Sequence, residues 1–365
     1  MPSPTIVLLP MGAPGHFSSM LEAGKRLLFC SAGGTAASSL TVLVMPPPMA
    51  ASSSETTGSL QVHGEMASGD GIVFHHLPAI EHRTDLVHPS EYIGLYAPHV
   101  KAAITGLAAP VAAVVVDFFG TPLLDVAHDL AVPAYVYFAS TGATLALMLR
   151  LPAIQEELAS MLREEGGVVD VPGMPPVPVA SMPSPDVNDY AWFAYYGRRF
   201  LEARGIVVNM AAELEPGVQE SIAGGRCTPG GRAPMVYPIG PVLSPKPRVD
   251  ARRRRSSAQE CIRWLDAQPP ASVVFLCFGS MGWMHAEQAR EVAAGLERSE
   301  HRFLWVLRGP PAGSSQNPTD ANLGDLLPHG FLERTKAKGA VWPSWAPQLE
   351  ILAHAAVGGF VTHCG

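Results

Sequence analysis

The sequence is poor in charge. Only 16% of its 365 residues are Asp, Glu, Lys or Arg, and the formal net charge is -7. With no basic surplus, the electrostatic footprint of a nucleic-acid binder is missing, and that class of partner is set aside. The one basic run, Arg252 to Arg255, reads as a solvated linker. No C-x-x-C pair occurs, and the five cysteines at 30, 227, 261, 277 and 364 leave an odd one over. That usage points to a reducing compartment with free, mostly packed thiols. There is no H-E-x-x-H, and the histidines at 63, 75, 76, 82, 88 and 99 keep no ligand spacing, so no metal site is expected. No G-x-G-x-x-G follows the first apolar run, where GAPGHF has the wrong spacing and carries a proline. No G-x-x-x-x-G-K-S/T is found either. Dinucleotide and P-loop readings, and with them a nicotinamide oxidoreductase, lose their main support. No repeat of solenoid period is present.

A membrane segment is also not expected. MPSPTIVLLPMGAPGH has no basic n-region, and its apolar run is too short for a signal peptide. Between Asp129 and Arg150 no charge occurs, a length that would span a bilayer. Pro133 near its start and Ser140, Thr141, Gly142 and Thr144 in its middle make a buried strand, a polar turn and a buried helix start the better reading. A soluble, cytoplasmic protein without a membrane span is expected.

What the sequence does have is apolar residue. Hydrophobic content is 47% and mean hydropathy is +0.17, enough for a large core, and 365 residues are comfortable for two domains. Short apolar runs recur at Ile6–Leu9, Leu40–Met45, Ile72–Leu77, Ala112–Val116, Ala134–Phe138 and Ile206–Asn209. A second series runs Ser272–Phe278, Phe303–Leu307, Ala340–Trp342 and Gly359–Thr362. They do not alternate with polar residues, as expected of parallel strands buried on both faces. Helical patterns such as SMLEAGKRLLFC and AEQAREVAAGLERSE lie between them. The predicted class is therefore α/β, with two doubly wound, Rossmann-like domains. The Pro-, Gly- and Arg-rich stretch at about 224–258 separates the series. The boundaries predicted are 1–243 for the first domain, 244–256 for a linker and 257–365 for the second. GGVVDVPGMPPVPVASMPSP and ASSSETTGS are expected as surface loops.

Ligands of open parallel sheets bind beyond the carboxyl ends of the strands. His16 lies in the loop after the first strand, and Asp117 ends VVVD. A carboxylate there can hold one ring nitrogen protonated, so that the other faces the cleft as a base. In the second domain, small residues at Gly279 and Ser280 allow a phosphate to approach the backbone. Trp345 offers a face for a base, with Ala346 and Gln348 beside it. His363 ends a strand where a helix N-terminus, an anion site, is due to follow.

The stretch WAPQLEILAHAAVGGFVTHCG closely resembles the first half of the signature box of plant family-1 UDP-sugar glycosyltransferases. The likeness extends to PGH after the first strand and to VVVDFFG. DVNDYAWFAYYGRRFLEARGIVVNMAAELEP and PIGPVL are similar to the branch acting on flavonoids and related phenols. The resemblance implies a GT-B type fold, the acceptor in the first domain and the UDP-sugar mainly in the second. It makes His16 the general base and Asp117 its partner, and places Thr141 near the sugar. Ser280 would contact the diphosphate, Trp345 stack on uracil, Ala346 and Gln348 hold the uridine, and His363 meet a phosphate, with Cys364 and Gly365 in the same box. It implies an inverting displacement in which a phenolic acceptor receives a hexose, glucose being expected, from UDP-glucose as donor substrate. No cofactor or metal is needed, and the protein is expected to act as a monomer. The box of the family continues beyond His-Cys-Gly, so a truncated chain with an incomplete second domain is expected. An inactive form retaining only acceptor binding is the alternative.

Overall fold

Val, Ile, Leu and Phe crowd the short runs because β-branched and aromatic side chains pack well on a pleated sheet. In the computed structural model every one of those runs contains a strand. It describes residues 3–30, 39–46, 71–80, 88–161, 166–182, 187–243, 253–313 and 318–363. The chain divides into two units, Met1–Pro247 and Arg248–Gly365.

The first unit opens with β1 (Thr5–Leu9), α1 (Pro14–Cys30), β2 (Ser39–Val44) and β3 (Ile72–His76). There follow α2 (Pro89–Gly94), α3 (Ala97–Thr105), β4 (Val111–Asp117), a 3-10 turn at Phe118–Leu123, α4 (Leu124–Asp129), β5 (Ala134–Phe138) and α5 (Gly142–Met161). It closes with β6 (Val168–Val169), β7 (Val177–Pro178), α6 (Val187–Phe200), β8 (Gly205–Val208), α7 (Pro216–Ala223) and β9 (Val236–Pro238). A seven-stranded sheet runs β3-β2-β1-β4-β5-β8-β9. Every pairing in it is parallel.

Both faces of that sheet are covered. Val114, Val116 and Phe138 pack with Val100, Leu145, Leu149 and Phe200 on one side. Leu8, Val115 and Tyr137 pack with Phe17, Met20 and Leu21 of α1 on the other. Each such fully buried aliphatic side chain contributes roughly 1.5–3 kcal/mol. Helices α5 and α6 touch backbone to backbone: a Cβ at Gly197 would lie 2.1 Å from the Met148 carbonyl oxygen. The uncharged stretch from Asp129 to Arg150 is β5, a turn and the first half of α5, as read. Among the described residues no helix is long and apolar enough to cross a membrane.

Two expectations need correcting. The edge strand β3 is not buried on both faces, since Val73 is half exposed. The Pro-rich segment is not simply a surface loop: β6 and β7 form a short antiparallel ladder that buries Val169 and Val171 completely. The stretch at 224–243 carries β9, which adds the last strand to the first sheet. Of the segment 244–256, residues 244–252 lie outside the described residues, as does ASSSETTGS, and 253–256 begin a helix.

The second unit runs α8 (Arg253–Asp266), β10 (Val273–Cys277), α9 (Ala286–Ser299), β11 (Arg302–Val306), β12 (Arg308–Gly309) and β13 (Thr319–Asp320). It continues with α10 (Leu323–Leu326), α11 (Phe331–Thr335), β14 (Gly339–Trp342), α12 (Gln348–Leu352) and β15 (Val357–Val361). Its four-stranded sheet, β14-β11-β10-β15, is again all parallel. Phe275 and Leu304 pack towards Cys261, Leu265 and Ile351, while Leu276 and Trp305 pack towards Ala289, Ala293 and Phe331. Cys227, Cys261 and Cys277 are free and buried. Burial raises their thiol pKa values, that of Cys261 to about 12, so these thiols stay protonated and inert.

Candidate active site

Strand order alone assembles the first cluster. β1, β4 and β5 are neighbours, so the loops after them share one sheet edge. His16 stands in the first turn of α1, which leaves β1; Asp117 is the last residue of β4; Thr141 follows β5. His16 Nδ1 lies 2.8 Å from Asp117 Oδ2, and the carboxylate is completely buried. The other oxygen, Oδ1, accepts the Phe119 N–H at 3.0 Å and caps the 3-10 turn. Burial works to lower the His16 pKa, but the hydrogen bond to Asp117 and its charge together outweigh it, and the value is raised. With Nδ1–H directed at Asp117, the lone pair of neutral His16 is on Nε2. That arrangement can take a proton from a hydroxyl and hold the resulting imidazolium.

Thr141 caps α5, where its hydroxyl oxygen accepts the Thr144 N–H at 3.3 Å and lies 3.1 Å from Thr144 Oγ1. The two preceding N–H groups, of Gly142 and Ala143, donate to the Glu215 carboxylate at 3.0 and 2.8 Å. This helix start is therefore closed to an added anion, and the exposed Thr141 hydroxyl is what it presents.

Rings surround His16. Phe118 and Phe119 each lie 5.4 Å from the imidazole, centroid to centroid. Phe119 is 6.0 Å from His88, which stacks on Trp192 at 4.0 Å and 11°. His88 caps α2 by accepting the Ser90 N–H, a structural role, as expected for that histidine. Trp192 and Tyr195 line a groove of about 430 Å3 together with Ser90, Glu91, Gly94 and Pro122. Of these rings the sequence singles out His88 alone, and not as a site residue. The dipeptide after Asp117 was within its reach, whereas His88 and Trp192 meet only through the packing of α2 against α6.

In the second unit β10 and β15 are adjacent, so the loops after them meet. Gly279 turns the chain with φ of 74°, and a Cβ there would lie 3.1 Å from His363 Cε1. Gly279, the residue before Ser280, and His363 are thus brought together. Trp345, Ala346 and Gln348 follow β14, at the same sheet edge but beyond β11. Trp345 is half-buried and Ala346 is buried in the core, so Ala346 can offer a ligand only its backbone. Gln348 opens α12. Cys364 and Gly365 lie outside the described residues. No group of side chains suited to hold a metal ion occurs among the described residues.

A histidine held by a buried carboxylate, and a second parallel α/β unit with a glycine turn, a tryptophan and a histidine at its carboxyl edge, suit nucleotide-dependent group transfer. The family described as UDP-glucoronosyl and UDP-glucosyl transferase matches residues 236–365. Malvidin galactosylase UGT88C3 of Oryza sativa subsp. japonica is 53% identical over 378 residues, covering 100% of this chain and 76% of that protein. The anthocyanidin 5,3-O-glucosyltransferase of a Rosa hybrid cultivar is 36% identical, covering 99% and 77%. A crystal structure of a ugt transferase from Siraitia grosvenorii in complex with UDP superposes with a TM-score of 0.82 at 35% identity, covering 99% and 75%. The chain belongs to the plant UDP-glycosyltransferases, enzymes of GT-B fold for which the UDP-sugar is a substrate and not a cofactor.

Proposed function

We propose that this transferase is an inverting O-glycosyltransferase that moves a hexose from a UDP-sugar to a hydroxyl of a flavonoid-type phenol, an anthocyanidin in the first instance. The observation that carries the reading is the 2.8 Å contact between His16 and the buried Asp117. His16 Nε2 takes the phenolic proton while the oxygen attacks the anomeric carbon from the side opposite UDP. Asp117 stabilises the imidazolium that forms. A phenol has a pKa of about 10 and histidine about 6.5, so the proton moves as the bond forms. The raised His16 pKa narrows that gap and favours the transfer. Charge developing on the diphosphate is met by His363 and by backbone N–H groups at Gly279–Ser280. Trp345 stacks on uracil, Ala346 and Gln348 hold the uridine, and Thr141 faces the sugar. The acceptor class rests on the relatives named for malvidin and anthocyanidin. One of those names is a galactosylase and the other a glucosyltransferase, so both donors belong in the test.

The test is to incubate the chain with an anthocyanidin and either UDP-glucose or UDP-galactose, and to identify products by mass spectrometry and anomeric proton coupling. A β-hexoside from the α-linked donor, absent with His16→Asn, is expected. An α-product, or a His16→Asn variant as active as the parent, would sink the mechanism. Calorimetric titration with UDP and with the anthocyanidin separately reports whether this chain binds each.

A further inference from the structure

Helix α1 carries more polar attachments to the sheet than the base needs. His16, Ser19 and Arg26 fall within about 80° of one another at 3.6 residues per turn. His16 bonds Asp117 of β4. Ser19 Oγ lies 2.6 Å from the Tyr137 hydroxyl of β5. Arg26 donates to the carbonyl oxygens of Ile239 and Pro241, just past β9, at 2.7 and 2.8 Å. Asp117 and Tyr137 are direct partners in the β4–β5 register. The two residues that receive α1 are therefore side by side on adjacent strands. Tyr137 has no exposed surface, and its ring packs under α1 with Leu8, Phe17 and Val115.

We infer that Ser19 and Tyr137 are positioning residues for His16: their bond, one turn beyond the base, fixes the roll of α1 on the sheet edge and so the direction of His16 Nε2. This rests on the reading of His16 as the base. Arg26 holds the far end of α1, but a first turn held by one bond can still shift its roll; a second bond three residues on, to the neighbouring strand, removes that freedom. A first turn is also where helices fray, and a misplacement of about 1 Å at a reacting group can cost as much as a hundredfold in rate. Burial, with the Asp117 charge, outweighs the Ser19 bond and the Arg26 charge, so the Tyr137 phenol is held above its ordinary pKa. It is neutral at working pH, and removing its oxygen changes no net charge. A change in His16 titration after that substitution therefore reports geometry.

The experiment uses the full chain with 13C-labelled imidazole, titrated by NMR without substrate, alongside glycosyl transfer at the same pH values. In Tyr137→Phe the His16–Asp117 bond loosens, so the His16 pKa falls by about half a unit. The acid limb of kcat/KM follows it, and kcat drops roughly tenfold with KM for the UDP-sugar unchanged. Ser19→Ala, at a half-buried position easily tolerated by the fold, gives the same shift, Ser19→Thr restores it, and the double variant is no worse than either single one. A merely structural role would lower the amount of active protein at every pH and leave the titration in place. An unmoved His16 titration in both Tyr137→Phe and Ser19→Ala overturns the inference, even if His16→Asn is inactive. Activity surviving in His16→Asn would overturn the base assignment instead, and the NMR shift would still decide the positioning.

Discussion

Replacing Asp117 with Asn is the sharpest probe of the dyad. The carboxylate is wholly buried and has two bonds to satisfy, His16 Nδ1–H at 2.8 Å and Phe119 N–H at 3.0 Å. A buried backbone N–H does not go unpaired, so the amide oxygen of the variant turns to Phe119 and its NH2 turns to His16. Nδ1 must then accept, the proton moves to Nε2, and the lone pair that serves as base is turned away. A wrong-tautomer defect of this kind costs about 10^3–10^4 in rate, or roughly 4–5.5 kcal/mol. The charge is lost as well. Opposite charges about 4 Å apart attract by about 4 kcal/mol at an effective dielectric near 20. Without that attraction, burial and the N–H now donated to Nδ1 both favour the neutral ring, and the His16 pKa passes from above the ordinary value of about 6.5 to below it. The sign for stability follows. Because the folded pKa is raised, the pair stabilises the parent fully below about 6.5 and less as pH rises through the folded value. In the variant that loss with rising pH disappears. Rate profiles from pH 5 to 9, with urea unfolding at pH 6 and 8.5, read both effects. A variant within about threefold of the parent rate, or an acid limb displaced upward, would refute the tautomer argument.

Gly279→Ala puts a side chain on a residue with φ of 74° and a Cβ 3.1 Å from His363. Calorimetry should show UDP binding weakened roughly tenfold and denaturation about 1 kcal/mol of lost stability, whereas parental UDP affinity would count against the paired loop. Glu215→Ala leaves the Gly142 and Ala143 N–H groups without their acceptor. Urea unfolding is expected to register about 1–2 kcal/mol, the cost of a lost cap, and a change under about 0.3 kcal/mol would show the cap to be idle. Gly197→Ala forces a methyl to within 2.1 Å of the Met148 carbonyl oxygen unless α5 and α6 separate. A loss of about 1–3 kcal/mol is expected, with a thermal midpoint unchanged from the parent as the contrary result.

Most strands of the two parallel sheets were legible because each is a short apolar run bounded by turn residues, and parallel sheets under helices demand that composition. β9 was not legible: Val236, Tyr237 and Pro238 make a three-residue edge strand inside a proline- and glycine-rich stretch. Its place is set by pairing with β8, which no local pattern reveals. The β6–β7 ladder was hidden for the same reason, two residues on each side among prolines. That His16 and Asp117 meet was legible from the strand ends. Glu215 was not, since a carboxylate that caps a helix 72 residues earlier leaves no periodicity to read. Ser19 and Tyr137 each look like ordinary members of their elements until the register sets them together.

Asp117 divides its two oxygens between the imidazole and the amide of Phe119, and this has a consequence for how such a protein can diversify. The group that holds the proposed base also shapes the backbone that carries Phe118 and Phe119, the rings beside it. New acceptor preferences gained by reshaping the Phe118–Leu123 turn would disturb proton transfer at the same stroke. α2 and α6 are tied to the same turn, since Ser90 Oγ donates to the Phe119 carbonyl at 2.7 Å and Arg199 to the Thr121 carbonyl at 3.0 Å, but among the described residues Trp192 stacks on His88 and makes no such bond. Divergence in substrate choice should therefore accumulate at groove positions such as Trp192, while the turn after β4 and the residues bonded to it stay fixed.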